Sequence, residues 1–485
     1  MQPILSLTHK TQEVDNLVLI LSGMPGLPAG IFTKAEKDFI LGQKEELKKD
    51  LVILNRLNHW TYLFFIPPEK EMTLCMEDCR KAGEKTGKSL NERKVSKIVV
   101  FDSCGKTEEV LAFCEGMALG NYQFLKYKNK KENANTLKEI EVYMEAEEKS
   151  RVQETKFRIQ SLNIMTDAVF RCRTLINEPN SYLTATVFAK EVADMAKSCG
   201  AKVEILNKKK MEALQMGGIL GVNKGSHEPP AFTVMEWNPA GAKNKKPLVL
   251  VGKGVVYDTG GMNLKTGGFM MNMKDDMSGA AAVAATVYAV ARAKLPVHVV
   301  GLMPATDNRP GPEAMVSGDV IKMHNGAQVE VIDTDAEGRL LLADALSYAV
   351  KFDPGLVIDL ATLTGSALRA IGSFAAVGMQ SKAEKEMEEL KKSGFAVYER
   401  IVEFPMWDDY AESLKSEIAD FKNLGATEAG AITAGKFLEK FTGYPYIHLD
   451  IAGPAFLEKT DSYRGQGGTG FGVRLLFDYI CKKYL

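Results

Sequence analysis

Lys253, Asp258, Asp276, Asp335 and Glu337 stand in three short polar segments, each beside an apolar run. The segments read Gly252-Lys253-Gly254-Val255-Val256-Tyr257-Asp258-Thr259-Gly260-Gly261, then Met273-Lys274-Asp275-Asp276-Met277-Ser278-Gly279, then Asp333-Thr334-Asp335-Ala336-Glu337-Gly338-Arg339-Leu340. Charge next to buried strands is costly unless it is paired or bound to metal. Oxygen-rich ligation of this kind suits Mg2+, Mn2+ or Zn2+. A carboxylate group this large favours two metal ions about 3.5–4 Å apart, bridged by shared carboxylates. The six histidines (His9, His59, His227, His298, His324 and His448) are dispersed and form no HExxH, so the common single-zinc peptidase pattern is absent.

Each of these residues also has a plainer reading. Lys253 follows Leu248-Val249-Leu250-Val251 and could be a strand-end lysine reaching into water. As a ligand it would be a neutral amine. Neutralising a free lysine at pH 7 costs about 4.6 kcal/mol, which a neighbouring dication can supply. The flanking Gly252 and Gly254 would let backbone and metal approach closely. Asp258, ahead of Thr-Gly-Gly, could be a turn aspartate, and Asp276 a favourable charge near a helix N-terminus. Thr334 and Glu337 fit a capping box ahead of an apolar helix. The density of Asp333, Asp335 and Glu337 within one short segment is left unexplained by that reading.

Apolar periodicity supplies the elements that must hold these segments. Pro247–Val251 is a continuous apolar run, as expected of a buried central strand, and Leu356–Leu360 reads as a second buried strand. Val203–Leu206, Phe232–Glu236, Val297–Met303, Val329–Ile332 and Tyr446–Ile451 also read as strands. Gly279–Ala293, Glu337–Val350 and Gly472–Tyr484 read as helices. Earlier in the chain, strands Leu17–Leu21, Trp60–Ile66 and Lys97–Phe101 alternate with helices Lys34–Asp50, Leu74–Gly83 and Val110–Leu119, a βαβ rhythm that predicts a mainly parallel sheet. The mixed-sign stretch Tyr127–Arg151 reads as a connector or a solvated face. A helix over Val152–Leu175 stops at Asn177-Glu178-Pro179. The expected class is α/β. A smaller N-terminal α/β domain (residues 1–155) is joined by this helix to a large C-terminal α/β/α sandwich with a mixed central sheet (residues 156–485).

Composition narrows the partners. Lys+Arg is 61 against Asp+Glu 62, so no basic surplus draws in nucleic acid or anionic lipid. No apolar run reaches the about 18 residues of a transmembrane helix. The opening MQPILSLTHKTQEVDN lacks the basic start and apolar stretch of a secretory signal. Seven scattered cysteines (Cys75, Cys79, Cys104, Cys114, Cys172, Cys199 and Cys481) point to reduced thiols and a cytoplasmic setting.

The three polar segments resemble the leucyl aminopeptidase family of dinuclear-metal cytosol aminopeptidases. Asp333–Leu340 is similar to the family's N-T-D-A-E-G-R-L, and Val251–Gly261 to its V-G-K-G-x-x-F-D-[ST]-G-G. Asn177-Glu178-Pro179, Gly217-Gly218, Glu228-Pro229-Pro230, Gly318-Asp319-Val320, Asp359-Leu360-Ala361-Thr362-Leu363-Thr364-Gly365 and Gly468-Thr469-Gly470 match in order, so the resemblance covers residues 170–485. It departs at Asp333, where the family more often has Asn, and after Lys265, where Thr266-Gly267-Gly268 replaces a frequent Pro.

The resemblance implies an aminopeptidase that releases N-terminal residues from peptides. One metal would be held by Asp258, Asp335 and Glu337, with the Asp335 carbonyl near. The other would be held by Lys253, Asp258, Asp276 and Glu337. Asp258 and Glu337 would bridge, together with a water or hydroxide. Zn2+ or Mn2+ is expected, with Mg2+ and Co2+ as alternatives. Lys265 and Arg339, which alone could be a solvated lysine and a helix-face arginine, would polarise the scissile carbonyl and hold a proton-relaying bicarbonate. Met273, Thr362, Gly365, Ala452 and Ala455 would form a pocket for Leu- or Met-like side chains. The resemblance also implies a homohexamer of two stacked trimers. Some family members bind DNA as regulators, which the balanced charge here does not favour. A dinuclear phosphoesterase would share the metals, but such sites normally include histidine and these segments have none. All seven expected site residues are present, which argues against a catalytically dead scaffold.

Overall fold

The apolar runs pair into two principal sheets, each in its own part of the chain. The computed structural model describes residues 2–12, 15–28, 30–67, 71–103, 105–144 and 149–485. Met1 and part of the opening segment, Cys104, and residues 145–148 of the charged stretch lie outside the described residues. Contacts divide the chain into Met1–Phe170 with Thr460–Gly465, and Arg171–Lys459 with Gln466–Leu485. The division falls inside a 29-residue helix, Lys149–Asn177.

In the first unit the strands are β1 (Ile4–Thr8), β2 (Leu17–Leu21), β3 (Leu51–Asn55), β4 (Trp60–Phe65), β5 (Lys97–Asp102) and β6 (Glu139–Tyr143), in the order β1-β6-β5-β2-β4-β3. All pairings are parallel except β3–β4. The period-2 alternation of β2 explains its two cores. Val18 and Ile20 pack into one cluster, with residues of helices Met72–Glu92 and Thr107–Gly120, while Leu19 and Leu21 pack into another with Phe32 and Ile40. Strand β6 lies inside the stretch read as connector or solvated face. Its Ile140 and Val142 are buried while Glu139 is exposed, and Glu141 pairs with Lys97 of β5 at 2.9 Å. The helix expected to run to Asp50 ends at Leu41 and continues only as a π-turn to Glu46, a segment that buries no side chain.

In the second unit the strands are β7 (Lys202–Leu206), β8 (Ala231–Trp237), β9 (Leu248–Gly252), β10 (Gly254–Asp258), β11 (Val299–Asn308), β12 (Val320–Lys322), β13 (Gln328–Glu330), β14 (Leu356–Ala361), β15 (Ala376–Ser381), β16 (Ile401–Glu403), β17 (Phe421–Lys422) and β18 (Tyr446–Asp450). The large sheet runs β16-β15-β18-β14-β9-β11-β8-β7, with β10 on β11, and β12-β13-β17 form a small sheet. Its centre is parallel from β18 through β14 and β9 to β11, and it turns antiparallel at β15 and β8, a mixed sheet as expected. Helix Ser278–Arg292 packs on β8, β9 and β11, Ala185–Cys199 on β8 and β11, Gly338–Ala349 on β9 and β11, and Gly217–Asn223 on β11. Every residue of β9 and β14 is buried; β9 accordingly reads as an unbroken apolar run, while the one charged residue of β14, Asp359, is paired with Tyr446 and His448 of β18. The carboxyl ends of β9, β10, β11, β14 and β18 converge, the usual place for a site in an open α/β sheet. Among the described residues no helix is long and apolar enough to cross a membrane. The six described cysteines are unpaired.

Candidate metal centre

Lys253 leaves the end of β9 wedged between two elements. Its N–H donates to the Leu360 carbonyl of β14 at 3.0 Å, and its own carbonyl accepts from Ala280 N, in the helix Ser278–Arg292, at 2.9 Å. Two glycines permit this packing. A Cβ on Gly279 would stand 2.0 Å from the Leu360 carbonyl oxygen, and one on Gly338 would stand 2.2 Å from Lys253 Cε. Gly252 and Gly254, read from sequence as giving access to metal, answer to other neighbours. Their Cβ atoms would meet Ala280 Cα at 2.5 Å and the Pro304 carbonyl at 2.4 Å.

Held this way, Lys253 Nζ lies 2.6 Å from Asp276 Oδ1, 3.0 Å from Glu337 Oε1 and 2.9 Å from the Thr362 carbonyl oxygen. A second ammonium, Lys265 Nζ, lies 2.8 Å from Asp258 Oδ2 and 2.5 Å from Asp335 Oδ1. Asp258, Asp335 and Glu337 each place an oxygen within 4.8 Å of the others. All five sequence candidates and Lys265 thus form one cluster, with two ammonium groups facing four carboxylates. Thr334 is not a helix cap. Its hydroxyl donates to the Gly260 carbonyl at 2.6 Å, and Glu337, at the start of the helix Gly338–Ala349, makes no side-chain cap bond and faces Lys253 instead.

The electrostatics are those of a cluster short of positive charge. Burial pushes Asp276 well above the carboxylate range, and the charges of Glu337 and Asp258 add to the effect. Burial and then Asp258 raise Glu337. Burial, then repulsion from Asp258 and Glu337, pushes Asp335 up to about 7. Burial would raise Asp258 too, but Lys265 and Lys253 outweigh it and hold that carboxyl low. Burial opposes charge on Lys253, yet Asp276, Glu337 and Asp258 hold it above the ordinary lysine value. Asp276 Oδ2 and Glu337 Oε2 are buried and have no partner among the described residues. These residues fit a dication site: hard oxygen donors, excess negative charge and two orphaned carboxylate oxygens.

Two asparagines that the sequence reading missed shape the cluster. Asn308 closes β11 opposite Asp258, and its Nδ2 donates to Asp258 Oδ1 at 2.9 Å and to the Thr334 carbonyl at 3.1 Å. Asn263 Oδ1 accepts from Thr334 N at 3.0 Å, tying the segment that carries Lys265 to the one that carries Asp335. The available signal for Asn308 was the polar run Thr306-Asp307-Asn308 that ends an apolar strand. Asn263 offered none. Asp333, the departure from the family pattern, accepts from Asp335 N at 2.8 Å within its own loop.

Arg339 lies on the helix Gly338–Ala349 and is buried. Its Nη1 donates to the Asn423 carbonyl at 2.8 Å, and burial pulls the guanidinium down to about 10, still cationic at neutral pH. Of the pocket candidates, Thr362 touches the cluster directly, its Oγ1 donating to Asp276 Oδ1 at 2.9 Å. Asp450 gathers the neighbouring turns by accepting from Leu363 N at 3.2 Å, Thr364 Oγ1 at 2.6 Å and Ala452 N at 3.1 Å. Met273 and Ala452 are half-buried and Gly365 exposed, while Ala455 is enclosed.

The pattern of the cytosol aminopeptidase family, catalytic domain, matches residues 170–477. The chain belongs to the cytosol aminopeptidase family. That family's N-terminal domain matches residues 68–131. The probable cytosol aminopeptidase of Chlorobium phaeobacteroides is 45% identical over 385 residues, 78% of this chain and 76% of the relative. That of Chloroherpeton thalassium is 41% identical over 427 residues, 84% and 83% of the two chains. A mutant of tomato leucine aminopeptidase superposes with a TM-score of 0.86 at 26% identity, covering 99% of this chain and 97% of its own. The bottromycin maturation enzyme BotP in complex with Mn gives a TM-score of 0.84 at 26% identity, covering 97% and 100%. This protein is therefore an aminopeptidase, a hydrolase acting on peptides, as the resemblance of its polar segments implied.

Proposed function

We propose that this aminopeptidase holds two divalent cations with Lys253, Asp258, Asp276, Asp335 and Glu337 and uses them to release apolar N-terminal residues from peptides. The observation that carries the reading is the pair of buried, unpartnered oxygens, Asp276 Oδ2 and Glu337 Oε2, inside a cluster whose carboxylates outnumber its ammonium groups. Zn2+ or Mn2+ suits such donors, with Mg2+ and Co2+ as alternatives, and a structural relative described in complex with Mn supports the choice. Bound there, the ions would acidify a shared water enough to make it a nucleophile at neutral pH. Asp258 and Glu337 would serve both ions, Asp335 one of them, and Lys253 with Asp276 the other.

The chain's own groups do the rest. With Asp258 and Asp335 engaged by cations, the Lys265 ammonium would be free to meet the scissile carbonyl oxygen and stabilise the charge that develops there. The Arg339 guanidinium would hold a bicarbonate, which when bound would supply the group that accepts and returns a proton beside the leaving amine. The substrate's free α-amine lies at the cluster, which restricts cleavage to N-termini. Met273, Thr362, Gly365, Ala452 and Ala455 surround the first side chain. None carries a charge, so Leu and Met are accepted and a carboxylate would be buried without a partner. The engagement of Asp333 within its own loop speaks against a preference for basic side chains. The catalytic domain is assigned to residues 156–485 and the N-terminal domain to 1–155. The protein works in the cytoplasm as a hexamer, in keeping with the names of its relatives and the resemblance of its segments.

Chelation followed by refilling with Zn2+, Mn2+, Co2+ or Mg2+ tests the mechanism, read as hydrolysis of Leu-, Met-, Phe-, Lys- and Glu-amides. Activity should vanish without metal and return with Mn2+ or Zn2+, with Leu and Met amides cleaved best. Full activity in metal-free protein would sink the mechanism. Best cleavage of the Glu amide would overturn the pocket assignment.

A further inference from the structure

We infer that Asn423 is a positioning residue for this reaction: its side chain clamps the 332–336 loop while its main-chain carbonyl holds Arg339, so one residue aligns two parts of the site. Asn423 directly follows β17 and is 0% exposed. Its Oδ1 accepts from Ile332 N at 2.7 Å and from Asp333 N at 3.4 Å. Its Nδ2 donates to the Asp333 carbonyl at 2.7 Å and to the Ala336 carbonyl at 3.5 Å. Its own N–H donates to the Glu330 carbonyl at 2.8 Å, extending the β13–β17 pairing by one residue. Its carbonyl accepts from Arg339 Nη1 at 2.8 Å.

The side chain is suited to this task for a physical reason. A carboxamide offers a donor and an acceptor on one planar group, so it can satisfy both an N–H and a C=O of the same loop, as a neighbouring strand would. Asp cannot donate when ionised, and Gln is a methylene too long for a fully enclosed site. The clamped loop carries Asp335 and hands the chain on to Glu337, so its shape decides where both carboxylates stand. Arg339 is two residues further on, and its Nε has no partner among the described residues. The Asn423 carbonyl therefore orients the guanidinium while leaving other N–H groups of the fork for an anion. Side chain and carbonyl belong to one residue, so movement of the clamp moves Arg339. The inference rests on the anion-holding role proposed above for Arg339.

A double-mutant cycle separates the two claims. In the Mn2+-loaded chain, Asn423→Ala should lower kcat for a leucine anilide by about 30–100-fold with KM changed less than about threefold, since a misplacement of about 1 Å costs on this scale. In an Arg339→Ala background the same replacement should cost at least about fivefold less, because a group it aligns is gone. In metal-free protein, hydrogen exchange of amides in the 330–337 segment should speed up about tenfold or more, a readout independent of activity. Asn423→Ser, which keeps a short polar side chain, replaces Asn423→Ala in every arm should the latter fail to fold. A kcat within twofold of the unmodified chain, or unchanged exchange, overturns the clamp. Equal cost in both backgrounds overturns the alignment of Arg339 by Asn423 while leaving Arg339's own role standing. An Arg339→Ala protein with unmodified kcat sinks the anion-holding role itself.

Discussion

Asp335 is the cluster's most exposed carboxylate, yet burial and the charges of Asp258 and Glu337 push it up to about 7 in the cation-free chain. Below that value the folded protein carries a proton that a metal ion must displace. Cation affinity should therefore strengthen as pH rises through about 7, with measurable proton release in calorimetry. Constant affinity from about pH 6 to about pH 8 would contradict this linkage. The same shift acts on the metal-free fold. Between the ordinary 3.8 and about 7 the folded carboxyl binds more protons than the unfolded one, so this group's stabilisation is greatest in acid and is lost as pH rises through that window. Lys265 makes a different contribution. Its ammonium now lies between Asp258 and Asp335, and its proposed partner in catalysis is an oxyanion. Lys265→Ala should reduce kcat by about 10²–10³ with KM little changed. A rise in KM alone would show that Lys265 serves binding and not the transition state.

Elements meet here at distances that leave no room for a methyl group. Gly338 opens the helix Gly338–Ala349 against the Lys253 side chain, and a Cβ would stand 2.2 Å from Cε. Gly338→Ala must push the helix back or turn Lys253 away from Glu337, at about 1–3 kcal/mol. Activity should fall much further than the unfolding midpoint suggests, because the displaced atoms are those of the site. A fully active Gly338→Ala chain would mean that the Lys253–Glu337 approach is not required. The same helix carries Asp344, fully buried, which accepts from Ile219 N at 2.9 Å and from His324 N at 3.0 Å. Asp344→Ala would strand those donors and lower stability by about 1–3 kcal/mol in denaturant unfolding. An unchanged midpoint would show that water replaces the carboxylate there.

At the scale of the whole molecule, the segment carrying Lys265 exposes large apolar side chains. Phe269 is 77% and Met271 75% exposed, and Met262 and Leu264 are half exposed. Contiguous exposed apolar groups commonly mark an interface. Assembly of six chains would give a particle of about 320 kDa in light scattering. A 53.3 kDa particle at micromolar concentration would contradict the hexamer.

Much of this protein was legible in the chain alone, for a reason of scale. Local periodicity reports which face of an element is buried. An unbroken apolar run therefore marked β9, an apolar run interrupted only by Asp359 marked β14, and the polar segments that follow or precede such elements marked Lys253, Asp258, Asp276, Asp335 and Glu337 as groups needing a partner. Strand β6 escaped because its buried residues are only two among charged neighbours, and its burial depends on pairing with β5 and β1. Thr334 followed the spacing of a helix cap, yet its hydroxyl turned to Gly260, because the segment bearing Lys265 packs against it. Gly252 and Gly254 are required by a helix and a strand from elsewhere in the chain. The amide of Asn423 meets a loop about ninety residues away only because β17 pairs with β13. Residue types and spacing determined what chemistry the site could perform. Strand order and helix layering, which bring distant backbone groups within hydrogen-bond reach, decided which side chains hold that chemistry in place.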